Sequence, residues 1–275
     1  MLKTIAVLFA IAGMLSLNSC RKDMEDTAIG NDFATAEDLY SESQNISDEA
    51  AQKGTVSLKD DDAGGITSAC ALVTVDSIST PGTRKTTVDF GTACVGNDGK
   101  TRQGKIFITH TGKYKDAGTD ITITFQDYGV NGNMVDNSSV KTIHNNGYNV
   151  ANHLTWTITV NGSVVLNNNR GTVTWTSNRV REMVAGEVTP LMSDDIYLIT
   201  GNASGTSPHG GQFTANITSA LRKDFTCSAS RRNFTEGVIQ ITPQGKPIRT
   251  LDFGNGACDN VAIVTVNGRT RTINL

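Results

Sequence analysis

The chain has 275 residues, with 24 Lys and Arg against 27 Asp and Glu, a formal net charge of −3 and 37% hydrophobic residues. That length holds one large β domain or two small ones, and the acidic balance argues against nucleic acid as a partner. Charge is uneven along the chain: Arg21 to Asp62 carries twelve acids against four bases, a net of −8, whereas Ala63 to Leu275 carries fifteen against nineteen, a net of +4. An acidic arm therefore precedes a mildly basic body.

The start reads Met1-Leu2-Lys3 and then an apolar run from Thr4 to Leu15. One positive charge before a short apolar stretch is the layout of a secretory signal. The run falls short of the roughly 20 residues that a membrane-spanning helix needs. It ends in Leu17-Asn18-Ser19-Cys20, which resembles the bacterial lipobox, although Asn18 departs from the strict pattern. An ordinary signal peptide with an incidental cysteine is the alternative. The resemblance, to lipoproteins of the Bacteroidota type, implies cleavage after residue 19, acylation of Cys20 and attachment to the outer membrane. Two or three acyl chains hold a protein stably, whereas one does not. The following Arg21-Lys22-Asp23-Met24-Glu25-Asp26 resembles the surface-export signals of that family, with Met24 interrupting the acids. That resemblance implies display at the cell surface; without it the body faces the periplasm.

Residues 20–65 are expected to form a lipidated acidic tether containing one short amphipathic helix. Between Phe33 and Ala51, the residues Phe33, Ala36, Leu39, Tyr40 and Ile46 fall roughly on one helical face. Lys59 to Gly65 reads as an acidic hinge.

Residues 66–275 are expected to form a single all-β domain. Ile121 to Phe125, Leu154 to Val160 and Thr172 to Thr176 alternate apolar residues with threonine, the pattern of half-buried strands. Asn161-Gly162, Asn267-Gly268, Asp98-Gly99 and Asn131-Gly132 carry tight-turn chemistry. About fourteen hairpin-linked antiparallel strands are predicted. A β-sandwich and a curled, partly closed sheet both fit that count.

The two ends of the body share an element. Thr87-Val88-Asp89-Phe90-Gly91-Thr92-Ala93-Cys94 matches Thr250-Leu251-Asp252-Phe253-Gly254-Asn255-Gly256-Ala257-Cys258, with one insertion. Each copy follows a predicted hairpin, turning around Pro81-Gly82 in the first and Pro243-Gln244-Gly245 in the second. Each hairpin is in turn preceded by a cysteine, Cys70 or Cys227. With Cys20 acylated, four cysteines remain, and in an oxidising envelope an even count favours disulfides. A cysteine before the first strand and one after the second meet at the open end of a hairpin, which predicts Cys70–Cys94 and Cys227–Cys258. Closing loops of this size contributes about 3–4 kcal/mol each in the chain-entropy treatment. No Cys-x-x-Cys spacing supports a metal instead. The Asp-Phe-Gly triplets lack every other kinase motif. They read as strand ends whose Phe points inward and whose Gly permits a bend.

No nucleophile elbow, zinc-protease motif or Cys-His pair is present, and no cofactor is predicted. The histidines 110, 144, 153 and 209 read as surface residues, and Asp194-Asp195 or Glu182 with Glu187 are the acids on offer to a glycosidase. Binding fits better. Lys100 and Arg102, Lys113 and Lys115, Arg179 and Arg181, and Arg269 and Arg271 are each spaced by two, which places both members on one strand face. Such pairs suit an acidic glycan or an envelope protein, or they form an ordinary solvated face, or the acidic arm itself is their partner. Trp156, Trp175 and Tyr197 serve either as sugar platforms or as core. The expectation is a non-enzymatic binding or structural role, with a glycan hydrolase and an envelope assembly factor as alternatives.

Overall fold

A computed structural model describes residues 16–53, 70–77, 83–189, 192–227 and 234–275, and the helix side chains from Ala28 to Ala50. The predicted signal up to residue 15, the hinge at Lys59 to Gly65 and the Pro81-Gly82 turn lie outside the described residues. A single helix, α1 (Ser16–Lys53), precedes the strands. In chain order these are β1 (Leu72–Ser77), β2 (Arg84–Asp89), β3 (Cys94–Val95), β4 (Thr101–His110), β5 (Asp120–Val130), β6 (Asn133–Val135), β7 (Val140–Tyr148) and β8 (Leu154–Leu166). There follow β9 (Gly171–Ala185), a 3-10 turn at Met192–Asp194, β10 (Ile196–Ser207), β11 (Gly211–Asp224), β12 (Phe234–Pro243), β13 (Arg249–Asn255), β14 (Val261–Val266) and β15 (Arg269–Asn274).

All fifteen strands belong to one antiparallel sheet, ordered β1-β2-β4-β5-β6-β8-β9-β10-β11-β12-β13-β14-β15, with β3 beside β4 and β7 between β5 and β8. The chain is therefore all-β and hairpin-linked, and the choice between sandwich and curled sheet falls to the sheet. The pleat sends alternate side chains to one face: in β9 these are Val173, Trp175, Ser177, Arg179, Arg181 and Met183.

What that face meets is α1. From Glu42 to Ala50 every helical residue is buried, polar and apolar alike, so every side of the helix is covered. It contacts β2, β5, β8, β9, β10 and β14, which requires the sheet to curl around it. Phe33 packs against Trp175 at 4.9 Å and Phe213 at 5.8 Å between ring centroids, and Tyr40 lies 6.1 Å from Trp175. Nearer its start, Asn31, Thr35, Asp38 and Ser41 are only partly covered. Spacings of three and four put them on one stripe, the open seam of the wrap.

This revises the expected division at residue 65. Over residues 28–50 the acidic arm is the centre of the domain rather than a spacer outside it, and its helix is longer than Phe33 to Ala51. A sheet curled this far has a concave face that only an inserted element can fill.

One turn assignment is also corrected. Asn161-Gly162 lies inside β8, which continues to Leu166. A side chain at Gly162 would collide with Ser139 Oγ and the Tyr40 hydroxyl, so the glycine serves close approach of the helix rather than a turn. Asn131-Gly132 and Asn267-Gly268 do turn, with φ of 50° and 79° and of 50° and 74°.

The repeated ends hold as read. Cys70 joins Cys94 and Cys227 joins Cys258, with Cα separations of 5.5 and 5.7 Å. Phe90 and Phe253 are buried. In both copies the aspartate carboxylate accepts a hydrogen bond from the glycine N–H two residues on, at 2.9 Å for Asp89 and 2.8 Å for Asp252. The triplet is thus an Asx turn that bends the strand towards its disulfide.

Candidate ligand-binding groove

Spacing by two does place basic residues together, but mostly indoors. Arg179 Nη2 donates to Glu37 at 2.7 Å and Arg181 Nη1 to Asp48 at 2.6 Å. Arg102 Nε donates to Glu42 at 2.8 Å, and its other nitrogens chelate Asp98. Lys100 meets Asp38 at 2.9 Å and Glu42 at 3.4 Å. Just over a turn before Glu37 on α1, Asp32 accepts from Ser207 at 2.6 Å and lies 2.7 Å from His209 Nδ1. Arg179 and Arg181 are therefore buried partners of the helix and form no exposed basic stripe. This is the third of the readings that the sequence left open.

The other basic candidates separate. Lys115 is tied down by the carbonyls of Gly186, Glu187 and Thr189 at 3.5, 3.0 and 3.1 Å. Lys113 is exposed on the β4–β5 loop, and Arg269 and Arg271 are exposed on β15, an edge of the sheet. No shared stripe results. Trp156, Trp175 and Tyr197 are all buried, which removes them as sugar platforms. His110 is buried too, contrary to its surface reading, because it ends β4 on the inward face.

Where the wrap is incomplete, a groove of about 650 Å³ follows the helical stripe. Asn31, Thr35 and Asp38 form its floor; β15 from Arg271 to Leu275 forms one wall. The β3–β4 and β5–β6 turns, with Lys100 and Asn131, and Arg170 from the β8–β9 turn form the rest. Asn133, Asn260 and Asn274 add further amides. An amide can offer donors and an acceptor to the hydroxyls of a polar ligand, although that of Asn133 is already taken up by Val130, Asn167 and Arg170. Asn31 Oδ1 is buried without a hydrogen-bond partner within the protein.

Two carboxylates reach the groove, and both are committed. Asp38 pairs with Lys100. Burial pushes the Asp98 carboxyl up, but the hydrogen bonds and charge of Arg102 more than offset this and hold it below the usual range. The carboxyl that is raised, to about 6 by burial, belongs to Asp195, which accepts from Tyr197 at 2.7 Å away from the groove. Glu182 lies 2.7 Å from His153 Nδ1, and Glu187 accepts from Tyr148. Among the described residues no group of three His, Cys, Asp or Glu is placed to hold a metal, and no helix is long and apolar enough to cross a membrane.

The groove was not legible beforehand, because it is made of turns and an edge strand brought together by the curl. Its signals were Lys100 and Arg271, singled out for their spacing from Arg102 and Arg269. No protein-family model, curated protein sequence or solved structure matches the chain.

Proposed function

We propose that this chain is a lipid-anchored envelope protein that binds a polar, glycan-like ligand in the seam groove without chemical turnover. The observation that carries the reading is the groove itself: a large open cleft lined by amides, Thr35 and Thr272, with Lys100, Arg170 and Arg271 at its sides. Hydroxyl-rich ligands need such paired donors and acceptors, and the cations favour uronate, sulfate or phosphate substituents. Glycan hydrolysis asks for one carboxylic acid held protonated beside an ionised partner. Asp38 and Asp98 are instead both engaged with cations, which favours binding over hydrolysis.

Attachment through Cys20 gains a geometric consequence. Cys20 stands eight residues before Ala28, where the described burial begins, and both lie within α1. A helix covers that interval in about 12 Å. The acylated end thus holds the domain near the bilayer, with the groove close to the outer-membrane surface. The two disulfides suit an oxidising compartment.

Glycan-array binding by the full-length protein in detergent tests the groove. Arg271→Ala combined with Asn274→Ala, both on the exposed edge strand, is expected to weaken the best ligand by about tenfold or more. Equal binding by the variant would remove the groove from the account. For the anchor, Cys20→Ala is expected to release the protein from membranes, and protease added to intact cells reports whether the domain faces outward.

A further inference from the structure

Behind the groove, further along α1, lies a second space that the ion pairs do not fill. It is a chamber of about 50 Å³ between the helix and the sheet, lined by four basic side chains, Lys141, Arg179, Arg181 and Lys223. Glu37 is the acid lining it; Asp48, which pairs with Arg181, stands outside the lining. Basic groups thus outnumber acidic ones around this space, four to two with Asp48 counted.

Hydrogen bonding shows the same imbalance. Arg179 is buried and spends Nη2 on Glu37, while its Nε and Nη1 have no partner within the protein. The Trp175 indole N–H also lacks one, against a single unpartnered acceptor in the lining, Gln44 Oε1. Lys141 Nζ donates to the Tyr40 carbonyl at 2.7 Å, and Lys223 Nζ lies 3.5 Å from Ser41 Oγ and 5.2 Å from the centroid of the Phe234 ring. Buried donors without acceptors are costly, and each unpartnered guanidinium N–H can donate a charge-assisted hydrogen bond to an oxyanion oxygen.

We infer that this chamber is a binding site for one small inorganic oxyanion of phosphate or sulfate size, held by the unpartnered N–H groups of Arg179 with Lys141 and Lys223. A water needs roughly 10–15 Å³ of such space, so the chamber admits a few waters or one such ion and excludes a sugar. Burial pushes both lysines down to about 7, and a bound anion would favour their charged forms.

Shared lining residues link the chamber to the groove. Ala34, Asp38 and Leu275 line both the groove and a narrow neck of about 10 Å³. Glu37, Ser41, Lys223 and Phe234 line both that neck and the chamber. The site does not depend on what occupies the groove.

Calorimetric titration of the full-length protein with inorganic phosphate, at constant ionic strength, tests the site. One saturable site is expected in the wild type, weakened about tenfold or more in Arg179→Met. Arg271→Ala removes a groove cation and is expected to retain phosphate binding while losing glycan. No saturable binding by the wild type, or binding lost in Arg271→Ala and kept in Arg179→Met, overturns the assignment. Should Arg179→Met fail to fold, wild-type crystals soaked in selenate decide the matter. An anomalous peak beside Arg179, Lys141 and Lys223 supports the site; a peak only in the groove, or none, overturns it.

Discussion

The strands β8 to β11 and the seam beside β15 present similar chemistry to α1, with opposite consequences. Along the closed wall Arg179 and Arg181 meet Glu37 and Asp48 with almost no exposed side-chain surface. At the seam Lys100 meets Asp38 at a comparable distance, but with 16% and 20% of the side chains exposed. Where water is excluded, each partner is a fixed condition of folding, because an abandoned charge would be stranded. Where water reaches, the pair can be loosened and the surface around it is available to a ligand. Burial, rather than charge pattern, separates structure from site.

Breaking a closed-wall pair is the severest test of that contrast. Arg181→Met strands Asp48 in the interior and is expected to cost about 3–5 kcal/mol, read as a lower urea midpoint. Arg181→Met with Asp48→Leu should regain much of the loss. A single variant as stable as the wild type would show that water reaches this wall.

The disulfides frame the same wrap at the two ends of its sheet. Replacing Cys227 and Cys258 by alanine is expected to cost about 2–5 kcal/mol. Thermal melting of the pair variant beside the wild type checks this, and an unchanged midpoint would count against a bridge in the native protein.

pH sharpens the contrast next. Lys141 and Lys223 titrate near 7 in the folded protein because burial pushes them down from 10.5. Between those values the unfolded chain holds protons that the folded chain has given up. Stability should therefore rise with pH from 7 towards 10 in a buffer free of phosphate and sulfate. Urea midpoints at pH 7 and 9 report the slope, and Lys141→Met should flatten it. A decline over that interval would contradict the burial of these amines.

Smallest is the seam pair. Asp38→Asn is expected to cost about 1 kcal/mol or less, as solvent screens the partners. A loss equal to that of Arg181→Met would erase the distinction between wall and seam.

Much of this architecture was legible from local pattern. Threonine alternation marked the strands, and cysteines bracketing two hairpins marked both disulfides. The Asp-Phe-Gly repeat marked two matching bends, because each depends on neighbours within a few residues. Arg179 and Arg181 were correctly set on one strand face, yet which face could not be known. That depended on α1, some 140 positions earlier, standing opposite. Phe33, Leu39 and Tyr40 looked like one face of a short helix, because a period of 3.6 reports a single apolar side. It does not report acids such as Glu37 and Asp48 that are buried by being paired.

By itself, then, the sequence determined the strands, the hairpins, the cysteine pairing and the separation of an acidic arm from a basic body. Those features are written in short-range periodicity and turn chemistry. Only the tertiary structure decided that the arm lies inside the body, that the sheet curls rather than doubles, and that its incomplete closure leaves a groove and a cationic chamber. Those outcomes rest on contacts between residues more than a hundred positions apart, whose energies depend on how much water the fold excludes.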